Sequence, residues 1–343
     1  MARLKIRHAD IAREAEASLA TVDRVLNGRP GVSRHAERRV WDAVQRLQGR
    51  REQDIVAETV RRRFDFILPG GPNTFWRLVA DGARAAGEEL AGRGVEIRCH
   101  PIEGFNPDVL AESIRRLGAA SDGLAIVALE NPKVREAVTA CAGAGVPVVT
   151  MVSNLTTQNT IGYVGLDNRA AGRTAGFLMG RLLGGREGKV ALFEGSLDLS
   201  YRDHQERDLG FRDVLRELFP GLRVAFRHPT HDDHEESYRL TKQLLEMHPE
   251  VLGIYNVGGG IRGNARALTE SGRADEIVCI GHELTSFTRE YLIEGTLDAV
   301  IDQAPAFQAR EAARALLAYH GANADAAPVR RPHVEVYFRE NLP

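Results

Sequence analysis

The feature that most constrains this chain is the alternation of β-branched runs with helical stretches from Phe64 onward. Nine short apolar runs recur there: FDFIL (64–68), GVEIRC (94–99), GLAIVA (123–128), VPVVTMV (146–152), KVALFE (189–194), RVAFRH (223–228), LGIYNV (252–257), EIVCIG (276–281) and LDAVID (297–302). Helical periodicity fills the gaps between them, as at 77–91, 107–117 and 132–144. Runs that stay apolar rather than alternating with polar residues belong to strands covered on both faces. Strand–helix alternation of this kind builds parallel sheets with helices on either side. Nine strands exceed one small sheet, so two α/β lobes are expected. Their expected spans are about 64–162 with 302–327 and about 163–301 with 328–343.

Ligands of open parallel sheets lie beyond the carboxyl ends of the strands. The polar residues of this chain collect at those ends. Asn73, Phe75 and Trp76 follow the first strand, and Ser153 and Asn154 follow VPVVTMV. Arg207 lies after KVALFE, His231 and Asp232 after RVAFRH, and Asn256 ends LGIYN. Glu283 follows EIVCIGH, and Gln303 follows LDAVID. Aromatic faces stack on C–H surfaces, while planar amides and a guanidinium take adjacent hydroxyls in pairs. The set suits a small sugar or polyol.

The first 63 residues differ in kind. They hold 15 Lys and Arg against 9 Asp and Glu, whereas the whole chain carries a net charge of −2. A basic head on an acidic body points to a polyanionic partner. Three short helical patterns fit the head. Ile11, Ala12 and Ala15 share a side between Asp10 and Glu16; Val22, Val25 and Leu26 share one in SLATVDRVLNG (18–28); Val40, Val44 and Leu47 repeat beyond Ser33. Ser18 and Ser33 are the expected caps. A gap of about two residues between the first two helices forces a sharp crossing, which describes a helix-turn-helix. The expected organisation is a head over 1–48, a connector over 49–63 and a body over 64–343.

The stretch DIAREAEASLATVDRVLNGRPGVSRHAERRVWDAVQRL resembles the DNA-binding head of the lactose-repressor family, with its spacing kept over about 40 residues. That resemblance implies a transcriptional regulator that reads a double-stranded operator as a homodimer. It places Leu19, Ala20 and Arg24 against base edges and Thr21 near phosphates; Ser18, Asp23 and Asn27 complete the expected DNA surface. Two departures stand out. Asp23 replaces a serine beside the DNA backbone, and Glu16 replaces the turn glycine. The family's Pro-Asn and wedging leucine are missing from the connector, where Ile55 or Val56 is the expected substitute, since apolar side chains of that size can unstack a base step. The body resembles the ribose-binding-protein-like, type I periplasmic-binding effector domain of the same family. NTFWRLVADGA is similar to its first ligand loop, and Arg207, Asn256 and Gln303 fall on its pocket positions. Glu283 stands in place of an aspartate. Its sugar-gripping Asp-Arg pair is replaced here by Val152-Ser153, which removes one hydroxyl clamp.

Other classes fit less well. No apolar run reaches the roughly 18 residues that cross a bilayer, and the N-terminus has no apolar signal core, so a cytoplasmic protein without a membrane partner is expected. Cys99, Cys141 and Cys279 are too scattered for a disulfide framework or a cysteine zinc site. HPTHDDHEE (228–236) offers metal-ligand types but reads better as a solvated loop. GGGIRG (258–263) follows a strand, precedes a helix and has Glu283 downstream, which is a dinucleotide fingerprint on paper. It supports a rival reading, an NAD-binding redox sensor or dehydrogenase, against which stands the polar Asn256-Val257 before the loop. No nucleophile elbow, Ser-His-Asp set or phosphate loop occurs, so no enzyme and no cofactor is expected.

Overall fold

The computed structural model describes residues 7–27, 29, 32–33, 36–44, 46–47, 61–71, 73–103, 106–195, 202–321 and 329–343. The chain divides into two compact units, Met1–Arg62 with Leu90–Val95 and Arg63–Glu89 with Glu96–Pro343. In the head, α1 (His8–Glu14), α2 (Leu19–Leu26) and α3 (36–44 and 46–47) enclose a small core of Ile11, Ala15, Val22, Val25, Val40, Ala43 and Val44. The Ser18 hydroxyl accepts from the Thr21 N–H at 3.1 Å, and Ser33 accepts from Ala36 at 3.2 Å. Each cap satisfies a donor that has no partner inside its own helix.

The first helix starts and stops two residues earlier than its apolar pattern implies, because the chain turns left-handed at Glu16, with φ of 44°. That backbone costs an L-residue about 1–2 kcal/mol. Arg39 holds the turn by donating to the carbonyls of Ala15 and Glu16, and its guanidinium lies 3.3 Å from the Glu16 carboxylate. Glu16→Gly relieves the strain, loses only an exposed ion pair, and adds unfolded-chain freedom worth about 0.5–1 kcal/mol. The expected net gain is about 0.5 kcal/mol, read as slower hydrogen exchange at the Ile11 and Val22 amides. Faster exchange would show that the contact with Arg39 outweighs the backbone term.

The body carries two sheets. The first, in the order β2-β1-β3-β4-β5, is built from β1 (Arg62–Pro69), β2 (Val95–Ile102), β3 (Gly123–Ile126), β4 (Val148–Met151) and β5 (Gly162–Val164). The second, in the order β11-β10-β9-β8-β6-β7, comprises β6 (Gly188–Glu194), β7 (Leu222–Pro229), β8 (Val251–Asn256), β9 (Val278–His282), β10 (Ala299–Asp302) and β11 (Glu335–Tyr337). The neighbours β1–β3, β3–β4, β4–β5, β6–β7, β6–β8, β8–β9 and β9–β10 are parallel, and β11 runs antiparallel to β10. Strand order reverses beside β1 in one sheet and beside β6 in the other, which creates the crevices where ligands of such sheets bind. All nine apolar runs are strands. The two that sequence reading missed, GYV and EVY, are three residues each and too short to show a period.

Helices cover both sheets: α4 (Thr74–Ala91), α5 (Pro107–Gly118), α6 (Pro132–Gly143) and α12 (Pro305–Tyr319) go with the first; α7 (Asn168–Leu182), α8 (Arg202–Leu218), α9 (His234–Met247), α10 (Ile261–Ser271) and α11 (Ser286–Glu294) with the second. A Cβ on Gly172 would strike the Arg207 carbonyl, and one on Gly210 the Arg169 carbonyl. Those two glycines let α7 and α8 touch backbone to backbone, which sets where Arg207 points. After β10 the chain crosses to the first sheet through α12, which packs on β3, β4 and β5. Among the described residues six outside glycine have left-handed backbone, and five of them, Val152, His231, Asp232, Glu283 and Ala304, end strands β4, β7, β9 and β10.

Candidate functional site

On the head, α2 turns Val22 and Val25 inward and leaves Leu19 57% exposed. Ala20 and Arg24 are exposed beside it, and Thr21 is half-buried with its hydroxyl 2.9 Å from that of Ser18. The Arg24 carbonyl accepts from the Arg29 N–H at 2.8 Å, while its guanidinium makes no hydrogen bond or ion pair among the described residues. Asp23 is already engaged: Asn27 Nδ2 donates to Oδ1 at 2.8 Å, and Arg29 donates to Oδ2 at 2.9 Å. A neighbouring guanidinium thus offsets a carboxylate that would otherwise face phosphates. Ile55 and Val56 lie outside the described residues.

In the body, a cavity of about 100 Å³ opens among the strand ends. Asn73, Thr74 and Phe75 contribute from the start of α4; Asp232 and His234 from the β7–α9 turn; Gly258, Gly259, Gly260, Ile261 and Arg262 from the start of α10. His282, Glu283, Thr285, Phe287 and Thr288 complete it from the β9–α11 turn. Four expected residues, Asn73, Phe75, Asp232 and Glu283, therefore meet at one cavity. Asn73 Oδ1 accepts from the Phe75 N–H at 2.9 Å, and Asp232 Oδ1 accepts from the Gly259 N–H at 2.7 Å. Trp76 packs edge-on against Phe75, with ring centroids 4.8 Å apart.

Arg207 and Gln303 stand outside that lining and work behind it. Arg207 is 1% exposed and spends its fork on the protein. Nε donates to Asn168 Oδ1 at 2.9 Å, Nη1 to the Val257 carbonyl at 2.7 Å, and Nη2 to Gln303 Oε1. Gln303 passes the interaction on, donating from Nε2 to Glu283 Oε1. Glu283 Oε2 is left buried without a partner. Burial, reinforced by Asp302, pushes the Glu283 carboxyl well above the usual range despite the bond from Gln303 and the nearby Arg207. Its neighbour His282 is pushed the other way, well below the usual imidazole value, by burial and then by Arg207 and His204. It is a neutral ring whose Nε2 lies 2.8 Å from the Tyr255 hydroxyl.

The remaining expected residues have other work. The buried Asn256 amide donates to Asn264 at 2.6 Å and its oxygen accepts from the Gly258 N–H at 3.1 Å, which fixes the β8–α10 turn. Asn154 Oδ1 accepts from the Thr150 hydroxyl and the Leu155 N–H. Ser153 is buried with its hydroxyl unpartnered, and His231 is exposed beyond the cavity. Sequence reading missed Asn168 and Gln308, which tie the same network together. Gln308 accepts from the Val152 N–H at 2.9 Å and donates to the Gln303 carbonyl at 2.8 Å. Nothing in a helical amide distinguishes it before the fold brings its partners near. Arg262 and His282 were more visible, one inside GGGIRG and one beside Glu283.

The glycines of GGGIRG have local reasons. Gly260 adopts φ of 90°, and a Cβ on Gly263 would strike the His234 carbonyl where α9 and α10 pack. The Gly259 N–H, which a pyrophosphate would need, is held by Asp232. Nothing in this turn supports the dinucleotide reading. Among the described residues no group of three His, Cys, Asp or Glu side chains is placed to hold a metal, and no helix is long and apolar enough to cross a membrane.

A helix-turn-helix head and two parallel sheets with a cleft at their strand ends define a two-lobed ligand-binding body joined to a DNA-binding module. Residues 64–323 match the periplasmic binding protein domain, and residues 9–48 match the bacterial regulatory proteins of the lacI family. The chain belongs to the lacI family of bacterial regulators. It is 25% identical to catabolite control protein A of Priestia megaterium over 252 residues, 72% of each chain. It is also 25% identical to a D-ribose/D-allose-binding protein of Pseudomonas aeruginosa over 268 residues, 74% of this chain and 81% of that one. In structure it resembles GanP, a glucose-galactose binding protein from Geobacillus stearothermophilus, with a TM-score of 0.74, 25% identity, and coverage of 83% of this chain and 100% of that one.

Proposed function

We propose that this protein is a one-component transcriptional regulator whose affinity for an operator is set by a small sugar or polyol held in the cleft of its body. The observation that carries the reading is that one chain joins an outward-facing, uncommitted Arg24 on a capped recognition helix to a body whose polar strand ends meet at one cavity. The relatives that bind ribose, allose, glucose or galactose support a polyhydroxy ligand. The cavity is small beside the roughly 300–1,000 Å³ of sites for larger ligands, which suits a monosaccharide or less. The body is a binding module and not a catalyst, and the protein works in the cytoplasm as a homodimer. Two heads then meet half-sites about one helical turn apart on a near-palindromic operator. A ligand preferring one lobe arrangement over the other shifts the spacing of the heads.

Fluorescence anisotropy on operator fragments selected from random DNA tests this, with and without a panel of sugars and polyols. At least one of them should change operator affinity. Arg24→Ala should cost about 1–3 kcal/mol on the operator and much less on random DNA. Equal losses on both would reduce Arg24 to a phosphate contact. Indifference to the whole panel would remove the sugar-responsive reading.

A further inference from the structure

A carboxylate on the side of a helix that meets DNA is repelled by the phosphates unless it has a second task. Asp23 stands in that position: residues 19, 20, 23, 24 and 27 share the exposed side of α2, opposite the buried Val22 and Val25. Its surroundings are ordered. The Asn27 amide donates to the Asp23 carbonyl at 2.9 Å and to Oδ1 at 2.8 Å, which fixes the carboxylate against the end of the helix. The Arg29 N–H donates to the Arg24 carbonyl at 2.8 Å, which brings the chain beyond α2 back along it. Arg29 Nη1 then donates to Asp23 Oδ2 at 2.9 Å. Held at backbone and side chain, Arg29 has little rotamer freedom left to lose on meeting a partner.

An exposed ion pair adds little to stability by itself, so the fold of the head does not account for this arrangement. The Arg29 side chain is 63% exposed, and its Nε and Nη2 make no hydrogen bond among the described residues. Base edges are read by the N-terminal residues of a recognition helix, while its far end lies nearer the DNA backbone. Arg29 stands past that far end, and the open side of a guanidinium fits the oxygens of a phosphate. We propose that Arg29 contacts a DNA phosphate beside α2 and that Asp23 is the positioning residue that aims it. Asp23 then aids DNA binding through Arg29 although its own charge opposes it. This rests on the reading of α2 as the operator-contacting helix and adds a contact to it.

A double-mutant cycle on the full-length protein tests the proposal, read by fluorescence anisotropy at several salt concentrations on the selected operator and on random DNA. Arg29→Ala should weaken binding about three- to tenfold on both and lower the slope of log affinity against log salt by about one per head. Asp23→Ala should weaken binding about two- to fivefold in the wild-type background, where it frees Arg29. In the Arg29→Ala background the same substitution should tighten binding, because only an opposing charge is then removed. Asp23→Asn, which keeps an acceptor for Asn27 and loses the charge, should repeat that change of sign. Tighter binding by Asp23→Ala in both backgrounds would overturn the positioning role. Weaker binding in both would assign Asp23 to the fold of α2 and overturn it as well. An unchanged salt slope in Arg29→Ala, or a loss confined to the operator, would overturn the phosphate contact. If the wild-type protein selects no DNA, the operator reading falls and this one with it.

Discussion

Arg207→Ala lowers the melting temperature of the body by about 5–15 °C and abolishes the response of operator binding to the effector. The substitution strips the donors from three buried acceptors at once: Asn168 Oδ1, the Val257 carbonyl and Gln303 Oε1. Each orphaned acceptor costs about 1–3 kcal/mol, and removal of one member of a buried charged network costs about 3–5 kcal/mol in all. The functional effect follows from the same bonds. Freed from Arg207, Gln303 no longer fixes Glu283, the group that offers Oε2 to the cavity. Arg207→Lys restores the charge but cannot reach three acceptors in different directions, so it recovers only part of the loss. Calorimetry of the full chain with anisotropy on the operator checks both halves. An unchanged melting temperature would mean that the network is slack. A full ligand response in a folded Arg207→Ala protein would mean that the cleft does not work through Gln303.

The second large effect is at Glu311 on α12. Its side chain is 1% exposed and accepts five bonds from two arginines. Arg314 donates through Nε and Nη2; Arg330 donates through its backbone N–H, Nε and Nη2. Burial works against the charge, but these bonds outweigh it and hold the carboxyl down at about 2. Arg330 begins the return of the chain to β11, and the next residue, Arg331, bonds the Gly165 carbonyl at 3.1 Å and covers Tyr163. Glu311 thus fixes one of the strands of chain that join the two sheets. Glu311→Ala is expected to cost about 2–4 kcal/mol near neutral pH, discounted for the partly exposed arginines. A depressed carboxyl contributes its stability fully above the unfolded value and loses it as pH falls through the folded one. The gap between wild type and Glu311→Ala should therefore be flat from pH 8 to pH 5, shrink below about 4.5 and close toward about 2. A gap that persists unchanged at pH 3 would assign the loss to packing rather than charge.

The body was legible because its strands are apolar on both faces and its ligand groups sit where parallel strands end. Phe66, Ile67 and Leu68, or Val190, Ala191 and Leu192, leave no other reading. The head was legible through its caps and the i, i+3, i+4 spacing of Val22, Val25 and Leu26. The division of labour in the cleft was not. Asn256 and Asn73 look alike in sequence, yet Asn256 is consumed by its own turn while Asn73 reaches the cavity. Arg207 reads as a hydroxyl clamp and is a strut. Such assignments depend on Asn168, Val257 and Gln303, dozens of residues away in the chain, and no local pattern carries that information.

The left-handed residues at the strand ends have a consequence for how the cleft can change. Val152, His231, Asp232, Glu283 and Ala304 hold backbone that costs an L-residue about 1–2 kcal/mol each, and the surrounding packing keeps them there. A loop held in that way has already given up its conformational entropy, so a ligand has little left to freeze on arrival. The frame is pre-organised. Drift in effector preference between descendants of this sequence then has to come from swapping side chains on a fixed outline. Reshaping the loops themselves would first have to release the strain that the two sheets were built to bear.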